Sequence, residues 1–105
     1  MNKTWVAALP LAELAPGAMY CFEHAGHRVL VAYAENGTLY AADEMCTHEE
    51  ASLCLGALRG SRVKCPLHGS WFELTDGSVD DEPATEPLRV HAVRVHEGNI
   101  QVMLD

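Results

Sequence analysis

Two short knots of chain, Cys46-Thr-His48 and Cys65-Pro-Leu-His68, each hold one cysteine and one histidine, and residues 49–64 separate them. Thiolate and imidazole are the donors that proteins use for zinc and for iron–sulfur groups. In extended backbone, residues two apart leave on the same side, so Cys46 and His48 can reach one target. Cys65 and His68 are three apart with Pro66 between them, which suits a turn that folds the imidazole back beside the thiol. Set side by side, the knots offer two sulfurs and two nitrogens. A structural zinc ion is one occupant, yet such sites usually take both cysteines from one arm and both histidines from the other. Mixed arms suit a binuclear centre, in which each arm gives its cysteine to an inner metal and its histidine to an outer one.

The knots need a rigid base, and the rest of the chain reads as β-structure. Alternating apolar and polar runs at Thr4 to Ala8, Ala18 to Glu23, Arg28 to Ala34, Thr38 to Ala42, Arg62 to Lys64, Ser70 to Leu74, Leu88 to His96 and Ile100 to Leu104 are strand signals. Turn residues punctuate them, among them "HAGH" at 24–27, "ENG" at 35–37, "TDG" at 75–77 and "EGN" at 97–99. No long helix is expected, and "PLAELAPG" can form at most one helical turn. Closely spaced strands with tight turns point to an all-β fold, an antiparallel sandwich or small barrel, with the knots as loops at its end.

At 105 residues the chain is long enough for a single domain, 1–105, and its 49% apolar content argues against disorder. Lysine and arginine number 7 against 15 acidic residues, a formal charge of -8, so nucleic acid and anionic lipid are repelled. Six carboxylates, Glu73, Asp76, Asp80, Asp81, Glu82 and Glu86, form an acidic flank that is either solvated or steers a basic partner. The apolar run near the N-terminus is broken by Pro10 and Glu13, and nothing approaches the ~20 apolar residues of a membrane helix, so a cytoplasmic protein is expected. In that compartment the knot cysteines are better read as metal ligands than as disulfides, and Cys21 and Cys54 as buried thiols. Trp71 is expected in the core, and His24, His27, His91 and His96 as surface residues without a role.

The pattern C-x-H, a 16-residue gap and C-x2-H-G resembles the Rieske-type ferredoxins of bacterial aromatic ring-hydroxylating dioxygenase systems. The segments "CTHEEASL", "VKCPLHGSWFEL", "TDG" and "PATEPLRVHAVRV" follow one another as in that family, so the resemblance covers essentially the whole chain. It implies a Rieske β-sandwich with a small cluster-binding part near 43–85 and one [2Fe-2S] cluster per chain. By the same resemblance Cys46 and Cys65 bind the inner iron, His48 and His68 bind the outer, reducible iron, and Pro83 lies in a loop that closes over the cluster. Histidine ligation removes negative charge from the oxidised centre, which raises the potential from about -400 mV to between about -150 and +300 mV.

Departures from the respiratory Rieske proteins place this chain low in that window. Those proteins carry an additional cysteine in each cluster loop, where this sequence has Ala51 and Leu67. They also carry a serine and a tyrosine that donate hydrogen bonds to sulfur. Ser70 is retained, but Phe72 stands in the tyrosine position, and a lost donor leaves the added electron less stabilised.

The resemblance implies an electron carrier rather than an enzyme. As a monomer, it would take one electron from a flavin-dependent NAD(P)H reductase and deliver it to a terminal Rieske non-haem iron oxygenase. No G-x-G-x-x-G motif for a nucleotide is present. The alternatives are a small Rieske subunit of an NAD(P)H nitrite reductase, held on its catalytic partner, and a structural zinc module.

Overall fold

In the computed structural model, residues 3–47, 50–67, 69–80 and 86–105 are described. Ten strands are formed: β1 (Thr4–Pro10), β2 (Met19–His24), β3 (His27–Tyr33), β4 (Leu39–Asp43), β5 (Ala57–Arg59), β6 (Arg62–Lys64), β7 (Trp71–Glu73), β8 (Val90–His91), β9 (Val93–His96) and β10 (Asn99–Leu104). Among the described residues there is no α-helix. The "PLAELAPG" segment makes a 3₁₀ turn at Leu11–Glu13, and a second 3₁₀ turn covers Leu53–Leu55.

The strands form three antiparallel sheets, ordered β1-β10-β9, β2-β3-β4-β8 and β5-β6-β7. The central strand β3 explains how they stack. A strand with one wet face alternates, whereas Val29, Leu30, Val31 and Ala32 are all fully buried, so both faces of β3 are covered. Val29 and Val31 meet Ile100, Val102 and Leu104 of β10 in one core. Leu30 and Ala32 meet Leu53, Val63, Phe72, Cys46 and Cys65 in the other. The result is a three-layer stack with the four-stranded sheet in the middle.

Among the described residues three hairpins are closed by two-residue turns; in two of them the turn is Ala25-Gly26 (φ 50° and 85°) or Glu97-Gly98 (φ 51° and 80°). Both residues of each of these two turns are left-handed, the twist that matches flanking strands, with glycine at the second position. The expected run Leu88 to His96 divides at Ala92: β8 pairs with β4, whereas β9 pairs with β10, so one stretch of chain passes from the middle sheet to the outer one. β5 was not legible as a strand, because three residues carry too little alternation to be recognised without their β6 partner.

Three expectations are corrected. Cys21 and Cys54 are joined in a disulfide, with Cα atoms 6.3 Å apart, and both are half-buried rather than buried thiols. Cys21 pairs with Leu30 across β2 and β3, so its side chain leaves the sheet toward the same core that the Leu53–Leu55 turn caps. Trp71 is half-buried on the outer face of β7 instead of in the core, since the strand's inward position is taken by Phe72. The His91 side chain is buried rather than superficial, its Nε2 lying 2.9 Å from Asp43 Oδ1.

Candidate metal centre

Both knots are built in the same way. After β4 the chain bridges Met45 to Ser52, and the Cys46 amide donates to the Ala51 carbonyl (2.9 Å). After β6 the Cys65 amide donates to the Ser70 carbonyl (2.8 Å). Each cysteine therefore stands at the root of a loop closed by a hydrogen bond to the carbonyl five residues on. Both thiols are buried, outside any disulfide, and belong to one core with Leu53, Val63 and Phe72.

His48 follows Cys46 by two residues and His68 follows Cys65 by three, so the sequence puts one histidine inside each loop. Both histidines and Pro83 lie outside the described residues. Of the expected site, the structure thus brings Cys46, Cys65, Ser70 and Phe72 together. Ser70 is buried, and Phe72 is fully buried in the core that holds both cysteines. Ala51 is buried against the first loop, whereas Leu67 is exposed on the second.

Close approach of the two arms has a backbone cause. A Cβ at Gly56 would run into the Lys64 carbonyl, so glycine there lets the segment between the knots lie against β6 just before Cys65. The chain beyond β7 is tied to the first loop and to β7 itself: the Thr47 hydroxyl donates to the Glu86 carbonyl (2.8 Å), and the Asp80 amide donates to the Trp71 carbonyl (2.7 Å) at the start of the strand that follows the second loop. Sequence reasoning missed the Thr47 clasp, because a threonine in a loop carries no signal of a partner thirty-nine residues away.

Of the acidic flank, the described carboxylates of Glu73, Asp76 and Asp80 are engaged in local contacts. A hydrogen bond from the Thr75 hydroxyl (2.6 Å), with help from Ser61 and the Thr75 amide, holds the Glu73 carboxyl below the usual range against a partly opposing desolvation. Asp76 is likewise lowered, chiefly by the Ser78 amide (2.9 Å). Asp80 is paired with Arg62. Near the first loop, the buried carboxylate of Glu44 accepts from Arg28 Nη2 at 3.1 Å.

The donors fit an iron–sulfur group. Two buried thiols sit in one apolar core without being joined to each other, and each heads a loop that also contains an imidazole. Thiolates in such a dry setting need a cationic centre to be stable.

The family profile described as the Rieske [2Fe-2S] domain matches residues 4–97. Ferredoxin CarAc of Metapseudomonas resinovorans is 34% identical over 102 residues, which is 97% of this chain and 95% of that protein. The ferredoxin component of a naphthalene 1,2-dioxygenase system of Pseudomonas putida is 30% identical over 105 residues, 100% of this chain and 98% of that one. A chain in the complex of reduced oxygenase and oxidised ferredoxin of carbazole 1,9a-dioxygenase superposes with a TM-score of 0.88 at 32% identity, covering 96% of this chain and 94% of the other.

Proposed function

Since this chain belongs to the Rieske [2Fe-2S] domain family, we propose that Cys46, His48, Cys65 and His68 hold its cluster, one per chain, in a cluster-binding part near 43–85. The observation that carries this reading is the pair of like-built loops that brings two buried thiols into one core. When bound, the cluster supplies a one-electron couple.

The chain's own residues set the conditions for that couple. Cys46 and Cys65 supply thiolate charge from below, where Leu53, Val63 and Phe72 exclude water. His48 and His68 supply neutral nitrogen, so the oxidised site carries less negative charge than an all-cysteine one and accepts an electron more readily. Phe72 has no donor to offer sulfur, which keeps the potential near the low end of the Rieske window. The Thr47 contact brings the Glu86 end of the Pro83 segment to the first loop, and the Asp80 contact ties its other end to the strand that follows the second, an arrangement that supports Pro83 as the residue closing over them.

The protein serves as a cytoplasmic, monomeric electron carrier. It takes one electron from a flavin-dependent NAD(P)H reductase and passes it to the terminal oxygenase of an aromatic ring-hydroxylating dioxygenase. Relatives named as ferredoxin components or subunits of dioxygenases support this over the role of a nitrite reductase subunit. Among the described residues no helix is long and apolar enough to cross a membrane.

Iron and acid-labile sulfide analysis, combined with EPR of the dithionite-reduced protein, tests the reading. Equal iron and sulfide with an anisotropic signal of average g below that of all-cysteine clusters is expected. A colourless protein with one divalent ion and no sulfide refutes it.

A further inference from the structure

The outer face of the small sheet has a composition that its fold does not require. Strand alternation sends Leu58, Val63 and Phe72 inward and leaves Arg59, Arg62, Lys64, Trp71 and, opposite Arg62, one carboxylate, Glu73, outside. All three cations surround the indole, with Arg59 Cζ 5.8 Å, Arg62 Cζ 5.3 Å and Lys64 Nζ 5.8 Å from the ring centroid. A chain with a formal charge of -8 and only 7 Lys and Arg has thus gathered three of them on one half-buried tryptophan. Arg59 and Arg62 stand directly opposite each other in the register, an arrangement that costs stability on a sheet surface. Asp80 pairs with Arg62, and Glu73 is held by Thr75, but among the described residues no carboxylate pairs with Arg59 or Lys64.

This face runs into the second ligand loop. Lys64 directly precedes Cys65, and its Cε lies 3.4 Å from where a Gly69 Cβ would be. Beside it, an open depression of about 340 Å³ is bordered by Lys64, Cys65, Leu55 and Leu67, and the two leucines are 78% and 59% exposed. Arginine and an aromatic anchor with aliphatic neighbours is the composition of protein–protein interface centres.

We propose that Trp71, Arg59, Arg62 and Lys64, flanked by Leu55 and Leu67, form the docking face for a carboxylate-rich surface of the protein that accepts the electron. The inference rests on the carrier reading above. Charge complementarity commits it to an acidic partner: the net charge of the chain repels such a partner at long range, so this basic face is where it is attracted. Contact there places the partner beside the Cys65 loop.

Stopped-flow oxidation of the dithionite-reduced holoprotein by acidic cytochrome b5 and by basic cytochrome c tests the assignment. Transfer to cytochrome b5 is expected to slow as salt rises, and at low salt to fall by about tenfold in the double variant Arg59→Glu/Lys64→Glu, with cytochrome c not slowed. The milder Arg59→Gln/Lys64→Gln pair gives an intermediate rate if the charges act through docking. The proposal is overturned if wild-type transfer to cytochrome b5 speeds up with salt, or if the variants lower the melting temperature yet leave the salt dependence unchanged. A protein that carries no reducible cluster overturns the carrier reading itself, and this proposal with it.

Discussion

The two cores on either side of β3 are held by different means. On one side, β1 and β10 pair along seven- and six-residue strands, and Val29, Val31, Ile100, Val102 and Leu104 fill the interior with carbon alone. Each such side chain, fully buried, is worth about 1.5–3 kcal/mol, so this side is stabilised by apolar burial without help. On the other side, β5, β6 and β7 have three residues each, and the core includes two thiols. Strands this short are marginal by themselves. The ligand-loop side therefore depends on cross-links, the Cys21–Cys54 disulfide and the cluster proposed for the knots, whereas the base does not.

The strongest way to break this comparison is Cys65→Ser. Iron and sulfide should be lost entirely, amide exchange should become fast in β5–β7, and protection in β3 and β10 should survive. Equal loss of protection on both sides would show that the base is not autonomous.

Next in size is Cys54→Ala. Removing a link between residues 33 apart in sequence should cost about 3–4 kcal/mol, read from denaturant melts, with the earliest exchange in β5–β7. If the variant melts like the parent protein, the disulfide is not what secures that side.

Phe72→Tyr sharpens the comparison at the redox level, because the ring lies in the core that holds both cysteines. A hydroxyl worth about 1 kcal/mol more to the reduced state raises the midpoint by about 40 mV, measurable by voltammetry. An intact cluster with an unmoved midpoint would mean that the hydroxyl does not reach sulfur.

The smallest effect concerns pH. Thr75 and Ser78 hold the Glu73 and Asp76 carboxyls below their ordinary values, so their contribution is present above the unfolded pKa of about 4 and is lost as pH falls through the lowered folded values. Amides of β7 and its following turn should loosen in acid before those of β10, and Thr75→Val should erase most of the Glu73 part. Acid exchange that begins in β10 would contradict the assignment of the weaker side.

Much of the base was legible beforehand. Hairpin signals at Gly26 and Gly98 and alternation in β2 and β10 mark elements found within a residue or two of their expected ends. β5 was not, since its partner rather than its own pattern makes it a strand. At the site, Cys46 and Cys65, read as ligands, are buried outside any disulfide, and Phe72, read only as standing where a hydrogen-bond donor would be, lies in their core; His48, His68 and Pro83 fall outside the described residues. Thr47, the disulfide and the outward face of Trp71 were not.

By itself the sequence determined the donors, their spacing and the strands that carry them, because donor chemistry and alternation are properties of a few neighbouring residues. Only the tertiary structure decided that Cys21 meets Cys54, that β3 is covered on both faces, and that three of the few cations gather on Trp71. Those outcomes depend on register and on how layers stack, and these are set by contacts between residues far apart in the chain.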